Sequence, residues 1–458
     1  MRTLLTAALL VGALGCGAPE PPPQIVLVVC DTLRADHLTV YGYGRPTSPV
    51  LERLAAEATV HTRFQASAPW TLPSHASMFT GLEPAEHGAR TLSAEELVEL
   101  QGKGWQGQNN AAPLAARHTT LAEHFREKGW ATGAIVANTA YLDPRFGVAQ
   151  GFEHYDRRRG DVTDVTARAL EWVDAHREEP FFLVLNLMDT HRPYNTRPRA
   201  DLPDRSGEGN LLKRLVPLVM DPAREAPPEL LEALGDQYDT AIGNLDEGLG
   251  LLFEGLRARL DWDALTLAVT SDHGEFLGEH DLIEHSKDVY QGTLGIPLLV
   301  KARGQRRGDR QDAWASHVHL PGLLLDAAGI ARDTAPPSFV RHWPLGRARS
   351  ENTDSRLHDL RQPWGQRLRR TRRVLAEGDL KTILTEGGPE GARAETYDLV
   401  RDPAEDSPLA PDAAAAHVEA ARRAHAELPP APPAEPFEPD AAMQGELDAL
   451  GYGGGSRE

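Results

Sequence analysis

The sequence predicts an α/β fold: a large, mostly parallel β-sheet covered by helices on both faces, followed by a smaller C-terminal α+β subdomain. Three observations predict it. Four apolar runs, at residues 25–29, 134–137, 181–188 and 265–269, lack the polar–apolar alternation of a half-exposed strand, as strands buried on both faces do. Helix-like stretches at 51–58, 121–128, 162–177 and 230–259 separate them, the order that builds a parallel sheet from crossover units. Each strand-like run then stops at polar residues of chemical interest.

In chain order, residues 25–29 end at Cys30-Asp31 and residues 134–137 at Asn138. Residues 181–188, apolar but for Asn186, end at Asp189-Thr190-His191, and residues 265–269 lead to Ser271-Asp272-His273-Gly274. Ligands of such sheets bind beyond the carboxyl ends of the strands, which puts Asp31, Asn138, His191, Asp272 and His273 at the expected mouth. From about residue 331 the pattern reads as the smaller subdomain, with an edge strand at 380–384, a helix at 413–427, a proline-rich linker at 429–439 and a flexible glycine tail at 453–455.

The N-terminus reads as an export signal. Arg2 precedes a largely apolar run at 4–14, far short of the roughly 20 residues a membrane span needs. Ala13-Leu14-Gly15-Cys16 resembles a bacterial lipobox, which implies cleavage after residue 15, acylation of Cys16 and an envelope-anchored lipoprotein; a non-lipidated signal with an incidental cysteine stays open. Residues 16–24, with three consecutive prolines, suit an extended tether. The expected organisation is therefore signal 1–15, tether 16–24, catalytic domain 25–330 and C-terminal subdomain with tail 331–458.

Composition removes several function classes. The 458 residues carry 48 Lys+Arg against 67 Asp+Glu, a net charge of −19 that argues against nucleic-acid binding. Hydrophobic content of 41% excludes a wholly disordered chain, and two cysteines, Cys16 and Cys30, cannot build a disulfide framework. Only six lysines occur, so Lys287, close to a candidate site, stands out.

Chemistry enters at Ala68-Pro-Trp-Thr71-Leu-Pro73-Ser-His75. Pro73 fits the first turn of a helix, which places the Thr71 hydroxyl at a helix mouth whose free N–H groups and dipole favour an anion. A hydroxyl there is positioned to attack the centre of a bound oxyanion; the alternative is that Thr71 merely caps the helix.

An ordered set of motifs runs through the chain: Asp31-Thr-Leu-Arg-Ala-Asp36, Tyr41-Gly42, Pro73-Ser74, Thr80-Gly81, His87-Gly88, Met188-Asp-Thr-His191, Ser271-Asp-His-Gly-Glu275, Gly278-Glu-His280, Ile296-Pro-Leu-Leu-Val300, Glu395-Thr-Tyr-Asp-Leu399 and Leu450-Gly-Tyr452. Over residues 25–452 this resembles the sulfatase family of the alkaline phosphatase superfamily, which implies an alkaline phosphatase-like sheet and a divalent metal. The departures are informative. Sulfatases carry a Cys or Ser, matured to formylglycine, at the position of Thr71, and Arg at that of His75; this chain has neither, so no formylglycine is expected. At that one position it is similar to superfamily phosphodiesterases and to phosphoethanolamine or phosphoglycerol transferases, which use Thr directly.

The resemblance assigns Asp31, Thr71, Asp272 and His273 to the metal. One family carboxylate is lost and one imidazole gained, which moves preference from Ca²⁺, still allowed, toward Mn²⁺ or Zn²⁺. His191 matches the family's leaving-group histidine, His285 a position facing the ester, Lys287 an oxyanion partner, and His75 replaces the missing Arg as a donor. His280 falls one layer out, Asn138 is a minor substrate contact, and Arg34 with Asp36 forms a salt-bridged turn under the site. The implied function is a metal-dependent hydrolase of sulfate or phosphate esters, phosphodiesters favoured, with Thr71 as nucleophile and a glycan or lipid as the alcohol part. Two alternatives stay open: a transferase of the phosphoethanolamine or phosphoglycerol kind, and a catalytically silent binding protein.

Overall fold

The computed structural model describes residues 21–102, 110–342, 344–430, 432 and 439–449. The export signal, Cys16, the 450–452 motif and the glycine tail lie outside the described residues. Among the described residues no helix is long and apolar enough to cross a membrane.

The main sheet has eight strands: β1 (Gln24–Cys30), β2 (Thr59–His61), β3 (Ala131–Val136), β4 (His154–Arg157), β5 (Phe181–Leu187), β6 (Leu265–Thr270), β7 (Leu298–Lys301) and β8 (Asp309–Gln311). Their spatial order is β8-β2-β7-β6-β1-β5-β3-β4. Only β7 runs against the rest, pairing antiparallel with both β6 and β2. Gln24, which the sequence places in the tether, already opens β1 and donates to the Arg177 carbonyl (2.7 Å).

β1 is central because Ile25 through Val29 have no exposed surface at all. Each such side chain contributes about 1.5–3 kcal/mol relative to exposure, and a β-branched residue fits the pleated surface. Helices α1 (Pro49–Ala55) and α4 (Val162–His176) both pack on α5 (Pro228–Arg257); α2 (Thr71–Thr80), α3 (Leu121–Glu127) and α6 (Leu320–Ala327) form a second group around α2. Register then positions the site. Val29 of β1 lies opposite Asn186 of β5 and Thr270 of β6, so the residues following these three adjacent parallel strands emerge side by side.

The C-terminal part is a four-stranded antiparallel sheet of β9 (Arg347–Thr353), β10 (Arg370–Glu377), β11 (Leu380–Gly387) and β12 (Arg393–Asp398), in that order, with α7 (Pro411–Ala426) against it. The expected edge strand at 380–384 is therefore interior, paired on both sides. Its lysine, a residue type that commonly blunts edges, is instead buried: Lys381 donates to the Val289 carbonyl (2.7 Å) and pairs with Glu405 (2.7 Å). Strand β9 also braces the segment before α2, through Gln65 to Ser350 (2.6 Å) and Glu351 N–H to the Ser67 carbonyl (3.0 Å).

Candidate active site

Thr71 is the first helical residue of α2 and only 1% exposed; Trp70 occupies the cap position without a side-chain cap bond. The hydroxyl is thus not used to cap its own helix. Every residue of α2 is buried, and the approach to it is tied down by Ser74 Oγ donating to the Ala68 carbonyl (2.9 Å) and Ser286 N–H to the Pro69 carbonyl (2.8 Å).

Asp31, Asp272 and His273 converge beside it, each offering one ligand atom within 4.8 Å of the others. His273 Nε2 lies 3.4 Å from Asp272 Oδ2, 3.8 Å from Asp31 Oδ1 and 3.5 Å from Thr71 Oγ1. The outer oxygens of both carboxylates are held. Asp31 Oδ2 accepts from Asn138 (3.0 Å) and Asn186 (3.4 Å), and Asp272 Oδ1 from the N–H groups of Thr32 (3.2 Å) and His273 (2.9 Å). The inner oxygens, Asp31 Oδ1 and Asp272 Oδ2, are buried with no hydrogen-bond partner. His273 Nδ1 donates to the Gly274 carbonyl (2.9 Å), so the neutral ring turns the Nε2 lone pair toward those oxygens. Two orphan carboxylate oxygens, a bare imidazole nitrogen and a hydroxyl form a donor set that fits a divalent cation, with Asn138, Asn186 and backbone amides as the outer partners such sites require. Without a cation, burial and, for Asp31, the neighbouring Asp272 push both carboxyls up to about 7.

The other histidines extend from this cluster. The His285 ring lies 4.6 Å from His273 and 5.1 Å from His191, centroid to centroid. Glu275, itself raised to about 8 by burial, faces His285 Nδ1 with both oxygens at 3.4 Å. His191 Nδ1 donates to the Arg192 carbonyl (2.8 Å), and burial lowers its pKa to about 3. His75 stands differently from expectation. Its Nδ1 donates to the Thr71 carbonyl (2.9 Å), which leaves Nε2 of the neutral ring an acceptor, and burial lowers its pKa to about 4. Replacing the arginine as an anion donor thus requires a protonation that its surroundings oppose.

Three further sequence expectations are corrected. Lys287 is buried and donates to Glu284 (2.8 Å) and the His285 carbonyl (3.5 Å), with Asp359 at 3.9 Å, so its bonds do not go to Thr71. His280 is stacked on Tyr290 (3.8 Å) and bonds to the Ala404 carbonyl (2.9 Å), a contact between loops away from the cluster. Asn138 holds Asp31 instead of reaching outward. Arg34 and Asp36 do pair (2.7 Å), with Glu279 joining them (2.6 Å).

Several supporting residues escaped the sequence reading. Tyr238 on α5 donates to the Thr32 carbonyl (2.5 Å), and Thr32 and Thr190 hydroxyls cross-link the ends of β1 and β5. His317 accepts from Ser67 N–H (3.2 Å) and donates to the Ser271 carbonyl (3.0 Å), joining the stretch before Thr71 to the end of β6. Asn186 carried a signal, as the one polar residue in an apolar strand; His317 carried none. Non-glycine residues in the left-handed region flank the chemistry: Thr32 (φ 62°) after Asp31, and Glu284 (φ 66°) and Ser286 (φ 64°) on either side of His285. Such conformations cost on the order of 1–3 kcal/mol each and persist only where the surroundings enforce them.

Against known families, residues 23–330 match the sulfatase model. The multifunctional alkaline phosphatase superfamily protein PehA of Trinickia caryophylli is 24% identical over 398 residues, 67% of this chain and 74% of its own. Human N-acetylgalactosamine-6-sulfatase is 35% identical over 334 residues, 68% of this chain and 61% of its own. Among solved structures, the phosphonate monoester hydrolase of Agrobacterium radiobacter shares the fold with a TM-score of 0.62 at 19% identity, over 88% of this chain and 95% of that one. The chain belongs to the sulfatase family of ester hydrolases, within the alkaline phosphatase superfamily.

Proposed function

We propose that this protein hydrolyses sulfate or phosphate esters, phosphodiesters favoured, with the unmodified Thr71 hydroxyl as nucleophile. The observation that carries the reading is the position of Thr71 Oγ1, 3.5 Å from His273 Nε2 at the rim of two orphan carboxylate oxygens. Asp31, Asp272 and His273 would hold the cation, with Mn²⁺ or Zn²⁺ ahead of Ca²⁺ for a donor set that includes an imidazole. When bound, a divalent ion supplies Lewis acidity that favours the threonine alkoxide and offsets charge on the transferred group.

The chain's own groups do the rest. The Asp272 carboxylate beside Thr71 gives the hydroxyl proton an acceptor. Oγ1 forms a bond to sulfur or phosphorus as the bond to the leaving oxygen breaks, and His191 or His285 delivers a proton to that oxygen. The same imidazole, now neutral, takes a proton from water, whose oxygen displaces Thr71, and the departing Thr71 oxygen takes back its proton from Asp272. Burial keeps both rings neutral at rest, and the anionic ester supplies the countercharge that favours their protonated form.

A chromogenic panel of sulfate monoester, phosphate monoester, phosphodiester and phosphonate ester, assayed with Mn²⁺ or Zn²⁺, tests this. Turnover of at least one ester, lost in Thr71→Ala, is expected; turnover that survives in Thr71→Ala refutes the nucleophile, and none at all favours the silent binding protein. Intact mass of the peptide around Thr71 should show an unmodified residue. The reading also places the protein at a bacterial envelope through acylated Cys16. Cys16→Ser should then release it from the membrane fraction; a variant that stays membrane-bound removes that anchor.

A further inference from the structure

His285 sits between two residues in the left-handed region, Glu284 and Ser286, and neither is of a type that tolerates that region at little cost. The conformation is therefore enforced from outside. From Ser286 onward the enforcing contacts come from the C-terminal subdomain. The Ser286 carbonyl accepts from Asn352 of β9 (3.4 Å) and from Ser355 just beyond it (3.2 Å). The fully buried Asp288 carboxylate lies between Arg370 and Arg372 of β10, bonded to the first and 3.4 Å from Nε of the second. Lys381 of β11 donates to the Val289 carbonyl (2.7 Å), and Glu405 accepts from the Gln291 N–H (2.5 Å) while pairing with Lys381.

Arg372 is the costly member of this set. It is only 1% exposed, with Asp288 on one side and Glu395 on the other (3.2 Å). Burying a guanidinium is unfavourable unless carboxylates meet it, and here the one toward the catalytic domain lies three residues from His285. The grip also reaches the nucleophile. Ser286 N–H donates to the Pro69 carbonyl (2.8 Å), two residues before Thr71. The residue that the C-terminal subdomain holds by its carbonyl thus holds the approach to α2 by its amide.

We infer that the C-terminal sheet is a positioning part of the active site: by fixing Asp288, Arg372 holds the strained segment that presents His285 to the ester at Thr71. Arg372 is a positioning residue and acts through His285. This inference rests on the proposed hydrolase reading, and takes His285 as the imidazole that protonates the leaving oxygen.

The test uses the full-length, metal-loaded protein. Arg372→Met removes the charge and keeps most of the stem; Arg370→Met, at a site 15% exposed, serves if circular dichroism shows the first variant unfolded. Kinetics compare a nitrophenyl ester, whose leaving oxygen departs without a proton, with an alkyl ester of the same acid, whose oxygen needs one. On the alkyl ester Arg372→Met should lower kcat about ten- to a hundredfold at unchanged KM, the scale of a catalytic group displaced by about 1 Å. On the nitrophenyl ester kcat should change less than about twofold, and metal stoichiometry should stay at the wild-type value. In a His285→Ala background the same substitution should cost nothing further, since its effect runs through that ring. Loss of metal, equal losses on the two esters, or losses that add to those of His285→Ala overturn the inference.

Hydrogen exchange supplies a readout without turnover. Amides within 284–291 and within 66–71 should exchange faster in Arg372→Met, while those of β1 keep wild-type rates. That result in a protein that turns over no ester supports the clasp and refutes only the hydrolase reading. Unchanged exchange in both segments overturns the inference.

Discussion

Two buried charge clusters lie side by side in this molecule and are built on opposite terms. Around Glu284 the chain supplies its own cations: Arg192 and Lys287 bond to the carboxylate and Arg356 stands at 4.0 Å, so its carboxyl is held well below the usual range despite burial. Around Thr71, among the described residues, two carboxylates and an imidazole come together with no Lys or Arg bonded to them, and Asp31 and Asp272 are pushed up to about 7. Burial opposes charge equally in both places. The difference is who neutralises it. A network closed by its own residues is architecture, whereas one left open by exactly the charge of a divalent ion is a place where something binds.

The comparison can be broken in order of expected effect. Asp272→Ala removes an inner oxygen and should abolish stoichiometric metal by elemental analysis. Turnover should fall by more than the roughly hundredfold that follows loss of an outer partner. Glu284→Gln should behave in the opposite manner, retaining metal but losing about 3–5 kcal/mol of stability in urea unfolding, because Arg192 and Lys287 lose the buried carboxylate they share and Lys287 keeps only the more distant Asp359. Since the Glu284 carboxyl is depressed in the folded state, its contribution is complete above the unfolded value of about 4.3 and is lost as pH falls through the lower folded value; variant and wild type should converge in acid.

Removing the cation with a chelator should lower the melting temperature, by the equivalent of about 2.7 kcal/mol when the ion had stood at a hundred times its Kd, and the shift should be absent in Asp31→Asn. Asn186→Ala, which frees Asp31 Oδ2 from one of its two amides, should weaken metal affinity about ten- to a hundredfold by calorimetric titration while leaving the fold intact. The smallest effect is expected from His280→Ala. Its stacking on Tyr290 is partly exposed, so unfolding should shift by less than about 1.5 kcal/mol and ester turnover should not change.

Some of this was legible from residues alone, because it is local. An apolar run that stops at Asp31, or at Asp272-His273, declares both a buried strand and the polar group at its end, and parallel strands must bring such ends to one edge. Pro73 likewise declared a first helical turn with Thr71 at its mouth, and the ordered motifs carried the family. The fate of Lys287, His280 and Lys381 was not local. Each has a side chain whose meaning depends on what distant segment meets it: Asp359 for Lys287, Ala404 for His280 and Glu405 for Lys381; for His75 it depends on which ring nitrogen its own helix uses.

Sequence by itself determined four strands of the main sheet and the chemical identity of the groups at their ends, since hydrophobic patterning and strand termination act over a few residues. Tertiary structure alone decided which of those groups remain unsatisfied. Whether a buried carboxylate is paired is a property of every neighbour within a few ångströms, and here those neighbours come from segments as far apart as Asp31 and Asp272, or His317 and Ser67.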